Sequence, residues 1–119
     1  MAPLKMSLDA HYKGDTWDGF SLDSILIDGA LPTVAMTSAK MQFRSKTNEL
    51  GFEYNTVETN CKGLITIDTA ATWAMTIEPE ILPMDTGIWW WDLEVVDVNG
   101  VLKTILAGRL RIIADVTQR

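Results

Sequence analysis

The sequence predicts an all-β domain, an antiparallel two-sheet sandwich of seven to nine strands. Three observations carry this. Apolar and polar residues alternate with period two along most of the chain. Turn-forming residues punctuate the alternation at intervals of about 8–12 residues. No long stretch carries helical periodicity, and strand following strand with short turns is the pattern of a sandwich. The length of 119 residues fits a single domain over 1–119. At that size roughly 65% of the unfolded surface is buried on folding, so one core suffices.

The first strand is read over Leu4 to Lys13, where Leu4, Met6, Leu8, Ala10 and Tyr12 alternate with polar neighbours. Gly14-Asp15 ends it. Phe20, Leu22 and Leu26 share one face of a second strand, with Ile25 and Ile27 opposite, and Asp28-Gly29 closes it. Ala39, Met41 and Phe43 alternate with Lys40, Gln42 and Arg44 in a third, and Asn48 marks the next turn. Leu50, Phe52 and Tyr54 form a fourth; Asn55 to Gly63 is a polar loop. Leu64 to Ile67 is a fifth strand. Thr72 to Ile77 is a sixth, with Trp73, Met75 and Ile77 on one face. Ala70, Ala71 and Ala74 would also suit a short helix over Thr69 to Met75; the continuing alternation of β-favouring residues selects strand. Pro79 and Pro83 end regular structure.

The last third is the clearest. Trp89, Trp91, Leu93 and Val95 alternate with Trp90, Asp92, Glu94 and Val96, and Asn99-Gly100 follows. Asn-Gly is the strongest short hairpin signal, because both residues tolerate positive φ. With Asn99 and Gly100 as a two-residue loop, Val98 faces Val101, Leu93 faces Leu106 and Trp91 faces Gly108. One face then gathers Trp89, Trp91, Leu93, Val95, Leu106, Leu110 and Ile112. The other gathers Asp92, Glu94, Lys103, Arg109 and Arg111. A slip of one residue would turn the apolar set outward. A glycine opposite Trp91 leaves room for the ring, or marks a bulge.

Composition narrows the function. The net charge is −6 and the pI about 4.6, which argues against a nucleic-acid partner, since little here would displace counterions from phosphates. One Cys and one His argue against disulfide frameworks, zinc sites and Cys/His or Ser-His-Asp catalysis. No glycine-rich phosphate loop, nucleophile elbow or dinucleotide fingerprint occurs. The expectation is a protein that is not an enzyme and needs no cofactor or metal. No apolar run reaches the 18 or so residues of a membrane helix, so no membrane partner is expected. The N-terminal residues lack a signal-peptide core, and synthesis in a reducing cytoplasm is expected. Cys61 lies in a polar stretch and reads as a loop residue rather than a reactive thiol.

The remaining constellations each have a plain reading. Asp92 and Glu94 sit two apart on one strand, so their carboxyls point the same way roughly 7 Å apart, a spacing glycosidases use. Facing Lys103 and Arg109 on a solvent face, they read better as cross-strand charge pairs. His11 stands alone on a polar face. Asp15-Thr16-Trp17-Asp18-Gly19 lacks calcium-loop spacing and reads as a turn. The run Trp89-Trp90-Trp91 is the exception. Trp89 and Trp91 belong to the core, which leaves Trp90 on the charged face opposite Arg109. A cation–π pair would explain it, at about 0.5–1 kcal/mol. An aromatic platform for a partner protein or a sugar ring would also explain it, because Trp and Arg are enriched at interface hot spots. Trp17, beside a turn, is assigned to the same surface. The candidate protein-contact residues are Trp17, Trp90, Arg109 and Arg111.

Residues spread along nearly the whole chain resemble a family of tailed-bacteriophage virion domains. They are Lys13-Gly14-Asp15-Thr16, Ala39-Lys40-Met41-Gln42-Phe43-Arg44, Gly63-Leu64-Ile65-Thr66-Ile67 and Trp73. Gly87-Ile88-Trp89-Trp90-Trp91-Asp92-Leu93-Glu94-Val95, Asn99-Gly100, Thr104-Ile105-Leu106-Ala107-Gly108 and Asp115-Val116-Thr117 complete the pattern. In order and spacing they are similar to the N-terminal domain of the phage baseplate upper protein and to related small prophage proteins. The resemblance implies an Ig-like β-sandwich that assembles into the virion and docks a neighbouring structural protein. With the sequence ending at Arg119, the expectation is a standalone adaptor of the tail, baseplate, neck or capsid surface, working as a homo-oligomer with other virion proteins as partners. Contact would bury an apolar patch and pair an open edge strand. A small carbohydrate-binding module using Trp90 for host attachment is the alternative, with a glycan as ligand.

Overall fold

Strands make up almost all of the regular structure in the computed structural model, which describes residues 4–24, 26, 29–56 and 63–114. In chain order they are β1 (Leu4–Lys5), β2 (His11–Tyr12), β3 (Thr16–Trp17), β4 (Phe20–Leu22), β5 (Met36–Arg44) and β6 (Leu50–Asn55). Then come β7 (Gly63–Thr69), β8 (Ala74–Ile77), β9 (Glu80–Ile81), β10 (Gly87–Asp97) and β11 (Leu102–Ile113). A 3-10 turn over Ala70–Thr72 joins β7 to β8. Cys61, Ile25, Ile27, Asp28 and Asp115-Val116-Thr117 lie outside the described residues.

The strands form a curled sheet in the order β1-β11-β10-β5-β6-β7-β8-β4, with β2 also on β11, and β3 and β9 form a separate ribbon. The sheet folds over at β6–β7, where pairing is limited to Tyr54 with Gly63 and Asn55 with Leu64. This closes a β-sandwich, the predicted class. One layer is β11, β10, β5 and β6; the other is β7, β8 and β4. Their inner faces share a single core that includes Met41, Phe43, Tyr54, Ile65, Met75, Ile77, Trp91, Leu93 and Leu110. Trp17 makes edge-to-face contacts with Phe20, Phe43 and Tyr54, at centroid distances of 6.1, 5.8 and 5.9 Å. Such arrangements suit the ring quadrupoles.

Several elements depart from the sequence reading, each for a local reason. The expected first strand survives only at its ends, and both pieces run parallel to β11, with Leu4 against Leu106 and His11 against Ile112. Leu4 and Tyr12 are exposed, so the alternation there does not mark a fully buried face. Of the second strand, Phe20–Leu22 is paired, and Leu26 is exposed. The third strand begins at Met36, three residues early, because a bulge at Thr37 hides the alternation; Val96 pairs with Ser38 and Asp97 with Met36. The sixth strand and its helical alternative share the segment. A 3-10 turn comes first, Trp73 takes a left-handed φ of 59°, and β8 follows. The Trp73 indole is buried and donates to the Val34 carbonyl at 2.8 Å, which offsets a conformation unfavourable to a bulky L-residue. Between Pro79 and Pro83 a two-residue strand still forms, pairing Thr16 with Ile81 and Trp17 with Glu80.

The hairpin β10–β11 carries the largest correction. Its loop is Val98-Asn99-Gly100, not Asn99-Gly100. The Gly100 amide donates to the Asp97 carbonyl and the Asp97 amide to the Val101 carbonyl, both at 3.0 Å. Gly100 alone in this loop has positive φ, at 79°. This is a type I turn with a glycine bulge, the common three-residue hairpin. Asp97 selects it: its buried carboxylate Oδ1 accepts from the Asn99 amide at 2.8 Å and the Val101 amide at 3.1 Å. The near part of the hairpin is therefore one residue out of the expected register, with Val95 opposite Lys103. A second bulge beside Leu93 takes up the extra residue, Ile105, and restores the predicted pairs Leu93–Leu106 and Trp91–Gly108. Two consecutive buried residues, Ile105 and Leu106, mark it.

Candidate functional site

The outer face of β11–β10–β5 holds the arrangement with most chemical content. Paired residues of antiparallel strands point to the same side, so Trp90 shares this face with Arg109 on β11 and Arg44 on β5, its two register partners. Trp90 is 40% exposed while its neighbour Trp91 is 3% exposed. The alternation places one indole outside and the next inside. Around Trp90 a groove of about 650 Å³ is lined by Lys5, Gln42, Arg44, Lys46, Asp92 and Arg109, among others. An adjoining depression brings in Ile88 and Arg111.

Four cations and one carboxylate line this groove in a chain of net charge −6. Arg44 is anchored: it donates to Gln42 Oε1 at 2.7 Å and to the Asn48 carbonyl at 3.1 Å. Gln42 in turn donates to Glu53 Oε1 at 2.6 Å. The side chains of Lys5, Lys46 and Arg109 make no hydrogen bond or ion pair with another described residue. Burial raises the pKa of Asp92, against the opposing pull of Arg44 and then Lys40. The four cations outnumber this lone carboxylate of the groove.

The predicted site residues separate. Trp90, Arg109 and Arg111 lie on this face, and the expected Trp90–Arg109 opposition is present in the register. Trp17 does not belong there. It is 7% exposed and wedged among core rings, because β3 pairs with β9 and turns the indole inward. Lys103 also leaves the face, since the Leu93 bulge puts it opposite inward-pointing Val95. β5 supplies further cations beside Asp92 and Glu94: Lys40 pairs with Glu94, and Gln42, which pairs with Asp92, stands between Lys40 and Arg44. Reading the hairpin alone could not find β5, and so missed Arg44, Lys46 and Gln42; the basic alternation Lys40, Gln42, Arg44 was the available signal. His11 Nε2 donates to the Asp15 carbonyl at 2.9 Å. Among the described residues no group of three His, Cys, Asp or Glu side chains could hold a metal ion.

The sheet path ends on β1 and β4, strands of two and three residues. Among the described residues, β11 is paired on its outer side only at Leu106, Ala107, Ile112 and Ile113.

No family model and no curated protein matches the chain. Among solved structures it is similar to the crystal structure of CopC from Methylosinus trichosporium OB3b, with a TM-score of 0.44 and 9% identity over 85% of this chain and 99% of that one. The likeness is loose and assigns no residue of the groove.

Proposed function

We propose that the chain is a structural adaptor of a tailed-phage virion, without enzymatic activity, which works by oligomerising and by docking neighbouring virion proteins through the Trp90 groove. The ordered motifs that resemble the baseplate upper protein's N-terminal domain support the virion setting. The observation that carries the docking role is the exposed Trp90 among unpaired cations on three well-paired strands. A large aromatic ring framed by arginines is the composition of an interface hot spot. Holding it on strands rather than loops limits the ordering entropy lost on contact. The Ig-like relationship, the location on tail, baseplate, neck or capsid surface, and the virion as destination all belong to this reading. Its test is direct. Particles induced from the encoding host, purified and analysed by mass spectrometry, should contain the chain at a fixed ratio to a known structural protein. Absence from purified particles would refute the virion role.

A second reading is a carbohydrate-binding module for host attachment. It is supported by the same indole, flanked by Gln42, Asp92 and Arg44, groups able to hydrogen-bond sugar hydroxyls. Binding on a glycan array that is lost in Trp90→Ala would favour it over the adaptor.

A further inference from the structure

The strands of the β7–β8–β4 layer carry no Lys or Arg. None occurs from Gly63 to Leu102, a stretch that includes all of β7, β8, β9 and β10. The outer face of β7–β8 carries Thr66 paired with Thr76, with Ser21 of β4 alongside. Two carboxylates are held on it by hydroxyls. Thr76 Oγ1 donates to Asp68 Oδ2 at 2.6 Å, and Thr66 Oγ1 donates to Glu78 Oε2 at 2.8 Å. Neither carboxylate forms an ion pair with a described residue. Leu64 adds an exposed apolar side chain beside them. On the opposite layer lies the groove with unpaired Lys5, Lys46 and Arg109 around Trp90.

We infer that the Asp68–Glu78 face of one copy seats on the Trp90 groove of the next, so that the chain self-associates head to tail. The inference rests on the oligomerising part of the adaptor reading and names its two surfaces. Charge complementarity selects a second copy as the occupant. The chain carries both halves of the pair: the acidic face has no ion-paired cation among the described residues, and the groove sets four cations against the single carboxylate of Asp92. The faces belong to opposite layers and do not overlap, so one copy can use both at once. Such a contact is heterologous: it closes into a ring if the rotation per copy permits, and otherwise extends. Trp90 supplies the desolvated centre, and the charges set register and encounter rate.

Charge reversal with mixing tests this, using light scattering behind size exclusion at low salt. Arg109→Glu removes the groove and Asp68→Lys removes the acidic face; both positions are exposed, and circular dichroism checks the fold. The wild type should form oligomers that dissociate towards about 1 M salt, where the screening length falls to about 3 Å. Each variant alone should self-associate at least about tenfold more weakly. Mixed together, they should associate again, because the intact groove of one meets the intact acidic face of the other and the two reversed faces are once more of opposite charge. Lys46→Glu with Glu78→Lys is the second pair and should behave alike. Variants that keep the wild-type mass, or a mixture that stays monomeric, would overturn the head-to-tail contact while leaving oligomerisation in place. A wild type that is monomeric at every concentration would overturn both.

Discussion

The hairpin β10–β11 and the segment from Leu4 to Leu22 show the same alternation in sequence and fold in different ways. The hairpin forms strands of 11 and 12 residues. The N-terminal segment keeps strands of two or three residues, two of them parallel to β11. The difference lies in how each finds its partner. A hairpin's partner is adjacent in sequence and its register is set by the turn, so the loop-closure cost is small. β1 and β2 must find β11 about a hundred residues away, and no turn fixes their register. Alternation tells which way a side chain points; it does not tell what it points against.

The largest contrast should appear in the core. Trp91→Ala removes a nearly fully buried indole from the hairpin and should cost about 3–5 kcal/mol. Leu4→Ala removes an exposed side chain from β1 and should stay within about 0.5 kcal/mol. Urea midpoints compare them. Equal losses would mean that β1 is as integral as the hairpin.

Gly108 joins the two regions. A Cβ there would collide with the Met6 carbonyl oxygen and lie 3.1 Å from the Trp91 ring. Gly108→Ala should therefore cost about 1–3 kcal/mol. Its signature should be faster hydrogen exchange at the Met6 amide, which donates to the Ala107 carbonyl, with β10–β11 amides still protected. Exchange rising evenly through the hairpin would show that the N-terminal strand does not peel off independently.

The turn comes next. Gly100→Ala places a Cβ at a φ of 79° and should cost about 1–2 kcal/mol. Asn99→Ala should cost under about 0.5 kcal/mol, since Asn99 keeps negative φ and contributes only its backbone amide to Asp97. Under a two-residue loop both positions would need positive φ, and Asn99→Ala would be costly too.

The fold class, the apolar face of the hairpin and its far register were legible because they follow from period and turn chemistry. The three-residue loop was not. The Asn-Gly signal serves two turn types, and the choice depended on Asp97 reaching two amides. The register of Trp91 with Gly108 was right because the Leu93 bulge compensated for the longer loop. Trp90 and Arg109 of the groove, and Arg111 beside it, could be read from one hairpin. Arg44 and Lys46 could not, since they arrive on β5 and its following turn, a partner that alternation leaves unspecified. Trp17 was misplaced because a turn-adjacent ring reads as exposed until β9 is known to pair with its strand.

A smaller effect concerns Asp92. Its folded pKa is raised, with burial the leading cause, so the fold prefers the neutral carboxyl. Stability from this group is present below its unfolded pKa and is lost as pH rises through the folded value. Asp92→Asn should therefore raise the urea midpoint at pH 7, and the gain should vanish below about pH 3, where both states are protonated. A gain that persists in acid would point to a cause other than ionisation.

The proposed docking role requires that Trp90, which stands outside, makes contact, while Trp91, one residue on, is buried in the core. Light scattering on the wild type and on Trp90→Ala, at matched concentration and low salt, tests it most directly. The wild type should be an oligomer, and the variant should have a lower mass with an unchanged circular dichroism spectrum and urea midpoint. Identical masses for the two, or a variant that loses its fold, would contradict it.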